Sequence, residues 1–213
     1  MANTKTGSIS KQSLQRLPVY LERLKKMRAD GKSHVSATAL ADELGLHPVQ
    51  VRKDLAAVSS VDGNPRIGFA LEALIDDVED FLGCKNLNEA VLVGTGNLGR
   101  ALLSYKNFEE YGLSIIAAFD KDPAVTGTEV HGKEIFDAAR ITELCARFGV
   151  HIGIITVPAQ QAQDVCDALL LGGVRAIWNF APAHLKVPEG IIITNENLAA
   201  SFAALSSRLR QSS

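Results

Sequence analysis

Apolar residues recur every three or four positions from Leu14 through Leu17, Leu21 and Leu24 to Met27. This spacing predicts an amphipathic helix that begins after Ser10 and stops at Gly31. Two shorter helices follow. Ser36 can cap one whose apolar positions are Leu40 and Leu44, with Asp42 and Glu43 outward and Gly45 as its stop. Pro48 suits the first turn of the next, where its missing N–H has no intrahelical partner, and that helix runs to about Ser59-Ser60. Val61 to Phe69 is turn-rich with a short β-like end, and residues 70–83 predict a further, bridging helix. Residues 1–9 read as a disordered tail.

From Ala90 the pattern changes. Ala90–Val93 is a short apolar run ending in a glycine-rich turn, followed by a helix over Leu98–Tyr105 and a second apolar strand over Leu113–Phe119. Further strands are expected at Ile152–Val157, Ala176–Asn179 and Gly190–Thr194, with helices at 137–148, 159–171 and 196–210. Strands alternating with helices of this length predict an α/β fold, a mostly parallel sheet covered on both faces. The predicted division is a helical N-terminal domain over 1–83, a doubly wound domain over 84–198 and a terminal helix over 199–213.

Composition is that of an ordinary globular chain, 46% apolar and 22% charged. Residues 1–13 are polar, without the apolar core of a signal peptide, and no run is long enough to span a bilayer. The three cysteines, Cys84, Cys145 and Cys166, form no C-x-x-C pair and read as apolar fillers in a reducing, cytoplasmic compartment. The net charge of −2 conceals an asymmetry: residues 1–70 carry eleven Lys/Arg against six Asp/Glu, or +5, and the rest of the chain −7. A basic N-terminal third suggests that this part alone meets a polyanion.

Gly94-Thr95-Gly96-Asn97-Leu98-Gly99 fits G-x-G-x-x-G in the context its chemistry requires, after a strand and opening a helix. The glycines allow a tight turn, close backbone approach to a pyrophosphate and helix–strand packing, while the helix N-terminus supplies N–H donors. The second strand ends at Asp120, 21 residues beyond Gly99, where a carboxylate can accept from both ribose hydroxyls and repel a 2′-phosphate. This favours NAD(H) over NADP(H), although Lys121 beside it keeps the phosphorylated form open. Thr156-Val157-Pro158 and the Asn179-Phe180-Ala181-Pro182 turn offer backbone, proline and aromatic surface suited to holding a ring. His131, His151 and His184 sit in no recognisable catalytic constellation, and binding without turnover is the reading the sequence favours. A small NAD(P)-dependent oxidoreductase with an appended helical domain is the rival, and a nucleotide- or CoA-binding interaction module is a third reading.

The two helices around Gly45 have helix-turn-helix proportions. The second presents Gln50, Arg52 and Lys53, which can read adenine, read guanine and attract phosphate respectively, and leaves Val49, Val51 and Leu55 for the core. His47 at its start, Lys11 at the start of the first helix and Arg66 in a candidate wing complete the predicted DNA-binding set.

Five segments occur in order: Arg16-Leu17-Pro18-x-Tyr20-Leu21, Gln50-Val51-Arg52-Lys53-Asp54-Leu55, the Gly94–Gly99 loop, Phe119-Asp120-x-Asp122-Pro123 and Asn179-Phe180-Ala181-Pro182. Together they resemble the Rex family of redox-sensing transcriptional repressors over nearly the whole chain. The resemblance implies a homodimer that binds palindromic operator DNA through paired winged helices and leaves it when NADH replaces NAD+. It also implies a C-terminal helix exchanged between subunits, and Tyr105 matches a family tyrosine that senses the nicotinamide end. The chain departs from the family pattern in three places. Glu22, followed by Arg23, stands where arginine is usual; Asn197 stands where aspartate is usual; and Ala56-Ala57-Val58-Ser59-Ser60 replaces a glycine-aromatic stretch. The first two form a switching charge pair in the family, so the resemblance is that of a divergent paralogue.

Overall fold

The computed structural model describes residues 9–211 apart from 62, 65 and 87, and of Lys11 only the backbone. The expected tail, except for Ile9, therefore lies outside the described residues. The chain forms two compact units, divided after Asn86.

In the first unit, helix α1 (Lys11–Ala29) is capped by Ser10, whose hydroxyl accepts from the Ser13 amide. Leu17, Tyr20, Leu21, Leu24 and Met27 are fully buried, whereas Leu14, expected on the same face, is exposed. Strand β1 (His34–Val35) leads to α2 (Ala37–Leu44), capped by Ser36 and closed by Gly45 in the left-handed region at φ +64°. Helix α3 (Pro48–Val58) starts from His47 with Pro48 in its first turn. A hairpin-like excursion returns through β2 (Phe69–Ala70), antiparallel to β1, into α4 (Leu71–Leu82). Leu71, Leu74, Ile75 and Val78 bury one stripe of α4. These elements form a four-helix core with a small two-stranded wing.

The second unit is built on a seven-stranded sheet. Its strands are β3 (Asn88–Val93), β4 (Leu113–Asp120), β5 (Glu129–Val130), β6 (Lys133–Asp137), β7 (Ile152–Ile155), β8 (Ala176–Asn179) and β9 (Ile192–Asn195). The spatial order is β5-β6-β4-β3-β7-β8-β9, parallel throughout except for the edge strand β5. Without β5, this is the doubly wound order with its switch point between β3 and β7. Central β3 is buried on both faces. Val91 and Val93 pack on the side of α6 (Ile141–Phe148) and α7 (Ala159–Leu171), and Ala90 and Leu92 on the side of Leu103 from α5 (Asn97–Leu103). That two-sided burial is why the run reads as continuously apolar.

The β5–β6 hairpin was not foreseen. Only Ile135 of its residues is fully buried, so the pattern carried almost no alternation, and the stretch expected to be helical from residue 137 begins as a 3₁₀ turn at Ala138–Arg140. Its tight turn places His131 at φ +51° and Gly132 at φ +77°, the two successive positive values of a mirror-image hairpin turn. Other boundaries move by a few residues. The helix expected to reach Tyr105 ends at Leu103, and the strand expected to reach Val157 ends at Ile155. Cys145 and Cys166 are buried fillers and Cys84 is half-buried, all free, with burial pushing the Cys145 thiol up to about 11. The chain ends in α8 (Leu198–Gln211), none of whose residues is buried.

Candidate functional site

At the carboxyl ends of β3 and β7 the glycine turn takes its shape from three different demands. Gly94 sits at φ +99°, and a Cβ there would meet the Thr156 carbonyl at 2.9 Å. Gly99 lies so close under the turn that a Cβ would fall 1.9 Å from the Gly94 oxygen. Gly96 is the opposite case: a Cβ would meet nothing within 4 Å, because this glycine faces open space. The Thr156 hydroxyl donates to the carbonyls of Gly94 (2.7 Å) and Val93 (3.0 Å), and Arg100 Nε donates to the Thr95 carbonyl (2.9 Å). Asn97 and Leu98 open α5, where first-turn amides lack intrahelical acceptors. The turn is rigid below and open above, a cradle for a phosphate group.

Asp120 ends β4 beside this turn. Its Oδ2 accepts from the Thr95 amide (2.6 Å) and hydroxyl (2.7 Å), and its Oδ1 from the Asp122 amide (3.0 Å). Burial opposes ionisation, but these donors outweigh it and hold the carboxyl below the usual carboxylate range. A cleft of about 550 Å³ runs past Gly94, Gly96, Asp120 and Lys121 to Thr156, Val157, Pro158, Phe180 and Pro182. Phosphate cradle, carboxylate and apolar surface line one cleft, and these residues fit a dinucleotide.

Three predicted cofactor residues act differently from the expectation. Thr95 is buried, and its side chain holds Asp120. Asn179 is completely buried: it donates to the carbonyls of Ala181 (3.2 Å) and Ala183 (3.1 Å) and to Asn195 Oδ1 (2.8 Å), and accepts from the Ala181 amide (3.0 Å). Its amide is fully used in shaping the turn that presents Phe180. Tyr105 borders a separate cavity of about 450 Å³ with His131 and Lys133. It reaches the cleft wall only through an aromatic series, edge-on to Phe108 (4.8 Å), thence to Trp178 (5.6 Å) and Phe180 (4.8 Å). His131, His151 and His184 are not among the residues lining the dinucleotide cleft. No cluster of metal-ligating side chains occurs among the described residues.

In the first unit His47 caps α3, its Nδ1 accepting from the Val49 amide (3.3 Å). Gln50, Arg52 and Lys53 are all exposed on this helix. Val51 and Leu55 are buried as expected, but Val49 is 60% exposed, because it precedes the inward stripe by half a turn and shares the outer side with Gln50 and Lys53. Arg66 lies exposed in the wing turn, which Asn64 and Gly68 close with two 2.8 Å backbone hydrogen bonds. Lys11 begins α1, and its side chain lies outside those described.

The sequence reading gave no role to Arg16, Tyr20 or Asp54, and the fold brings them together. Arg16 Nε (2.8 Å) and Nη2 (3.0 Å) form a bidentate pair with Asp54, which is 3% exposed, and the Tyr20 hydroxyl donates to Asp54 Oδ2 at 2.9 Å. Burial and the Asp54 carboxylate push the Tyr20 phenol up to about 12. Gln50, one turn before Asp54, sets its amide against Arg16; with the oxygen assigned to the side facing these donors, it accepts from Nη1 (2.9 Å) and Nη2 (3.2 Å). The signal available in sequence was a carboxylate set between Val51 and Leu55 on the buried stripe. Such a group needs a buried partner.

The wing is anchored by a second unforeseen contact. Asp77 Oδ2 on α4 accepts from the Ser60 amide (2.7 Å) and hydroxyl (2.9 Å) and from the Ser59 hydroxyl (3.2 Å).

Comparison with known proteins covers the same two regions. A model of a DNA-binding protein N-terminus matches residues 8–56, and the CoA binding domain model matches residues 85–183. The redox-sensing transcriptional repressor Rex of Bacteroides fragilis is 39% identical over 201 residues, covering 94% of this chain and 91% of that protein. Rex of Treponema denticola is 39% identical over 193 residues, covering 91% of each. Among solved structures, the Rex-family repressor RSP in complex with β-NAD+ and operator DNA matches with a TM-score of 0.90 at 30% identity, covering 97% of this chain and 95% of that one. RSP in complex with β-NADH matches with a TM-score of 0.84, covering 97% of each. Because the similarity runs through both units and is not confined to the glycine turn, the chain belongs to the Rex family of redox-sensing transcriptional repressors.

Proposed function

We propose that this chain is a cytoplasmic, non-enzymatic repressor that binds operator DNA through α3 and the wing and adjusts that binding to the NADH/NAD+ ratio. The observation that carries the reading is the presence, in one chain, of a dinucleotide-shaped cleft and an α3 that exposes Gln50, Arg52 and Lys53 while its one carboxylate, Asp54, is buried against Arg16. RSP, similar over almost the whole length, is known with β-NAD+ and operator DNA and with β-NADH. Arg52 and Lys53 supply base reading and phosphate attraction, and exposed Val49 offers apolar contact to a thymine methyl. Arg66 reaches a neighbouring phosphate from the wing.

The working unit is a homodimer joined in part by exchange of α8. Its Leu198, Phe202 and Leu205, at helical spacing, are 65–70% exposed, an apolar stripe that a single chain leaves in water. The cofactor acts by unequal affinity for two dimer states. Reduced and oxidised nicotinamide differ by a ring charge, and the charge pair expected to sense it is altered here. Glu22 is exposed, Arg23 is taken by an ion pair with Glu43, and Asn197 Oδ1 accepts from the Ala200 amide (2.9 Å) as the cap of α8. The discrimination between NADH and NAD+ is therefore weaker than in relatives that keep the pair. Titration of a labelled palindromic operator complex with each nucleotide tests this: both forms shift binding, with a modest difference. Indifference to both would refute the reading.

A further inference from the structure

Gln50 is anchored more firmly than an exposed glutamine usually is. It stands four residues before Asp54, so the two side chains share one edge of α3. Asp54 is buried and fixes Arg16 through two hydrogen bonds, and Ser13 Oγ accepts a third from Nη2 (3.2 Å). The guanidinium is thus clamped along its Nε–Nη2 edge, and the Gln50 amide lies against Nη1 and Nη2; because a guanidinium only donates, the amide is assigned with its oxygen on that side, where it accepts at 2.9 and 3.2 Å. An amide held in this way turns its nitrogen, with two N–H donors, away from α1. Bidentate recognition of adenine needs a glutamine oxygen free to accept from N6 while its nitrogen donates to N7. With the oxygen facing a cation, Gln50 can address only acceptors: guanine offers two adjacent ones, O6 and N7, and thymine offers O4, whereas adenine offers N7 alone beside the N6 donor, which the amide nitrogen cannot accept.

We propose that Arg16, which reaches no base itself, is a specificity-determining positioning residue: it orients Gln50 as a pure donor, so that α3 reads guanine or thymine at the base pair facing Gln50. The inference rests on the assignment of α3 as the DNA-reading helix.

The test is selection from a pool of randomised palindromic operators by the full-length chain, with Gln50→Ala, Gln50→Glu and Arg16→Lys beside it. The native chain selects guanine or thymine at one position per half-site. Gln50→Ala loses preference at that position alone, by about tenfold. Gln50→Glu keeps the shape and the Arg16 contact but lacks outward donors, and loses the same preference. Arg16→Lys retains a cation for Asp54, releases the amide and moves the preference towards adenine, an outcome that loss of packing does not produce. Adenine selected by the native chain, or unchanged selection by Gln50→Ala and Gln50→Glu, overturns the role of Arg16 while leaving α3 as the reading helix. Absence of any sequence preference in the native chain overturns the reading-helix assignment and this inference with it. Because Gln50 is exposed, its variants decide the matter even where Arg16→Lys fails to fold.

Discussion

Gly96 and Gly99 stand three positions apart, and alanine at each should do opposite things. At Gly99 the new methyl would meet the Gly94 carbonyl at 1.9 Å, so the turn must open; a loss of about 3 kcal/mol is expected in denaturant unfolding. At Gly96 the methyl enters empty space, so stability is retained while NADH affinity, measured by titration, falls tenfold or more because the methyl occupies the approach to the cradle. Tyr20 gives a pH-dependent case. Its folded pKa, about 12, lies above its ordinary value of 10.0, so its contribution is complete below pH 10 and is lost as pH rises through the folded value. Alkaline unfolding of Tyr20→Phe should lack that component of the pH dependence. These residues also show where sequence reading ends. The three glycines were legible because each demand is local, set within six residues and one neighbouring strand. Arg16 and Asp54 lie 38 positions apart, and nothing in either helix alone names the other as its partner.

Helices with a strong inward stripe and a local cap were recognisable from their spacing: α2 has Ser36 and Gly45, and α3 has Pro48. Elements held mainly by their neighbours were not. The β5–β6 hairpin takes its place from pairing with β4 rather than from its own pattern, and Leu14 and Val49 fit an apolar period while facing outward. The wing stands between the two: its turn-rich stretch and short β-like end were legible, but its anchor on α4 was not. Where the family has a glycine-aromatic stretch, here Ser59 and Ser60 are gripped by Asp77 of α4. Asp77→Ala removes the acceptor from three donors and should loosen the wing without disturbing α3. Operator affinity should fall several-fold with unchanged base preference and unchanged NADH binding, as read by fluorescence anisotropy. Loss of base preference would show that the anchor serves α3 instead.

The positive charge of residues 1–70 is almost cancelled within the first unit, because residues 71–86 carry five Asp/Glu against Lys85 alone; polyanion contact therefore falls to the residues before α4, and a second copy must supply the other half of a palindrome. In the proposed assembly the exposed apolar stripe of α8 is the means of pairing. Deletion of residues 198–213 should convert the dimer to a monomer in sedimentation and reduce operator affinity by orders of magnitude, with the glycine turn still able to bind nucleotide. A dimer that persists after the deletion would move the pairing surface elsewhere. What the sequence conveyed well at this level was the division into two units and the class of each; the geometry of pairing lies in surfaces that no single chain satisfies.

Trp178 is the sole tryptophan of the chain, and its ring lies 4.8 Å from Phe180, on the wall of the cleft. Its emission overlaps the near-ultraviolet absorption of reduced nicotinamide and not that of the oxidised form. The indole is therefore a native optical gauge of which form is bound: NADH should dim it by energy transfer with sensitised blue emission, and NAD+ should not. Occupancy and redox state could then be followed in the unlabelled protein while operator release is watched separately.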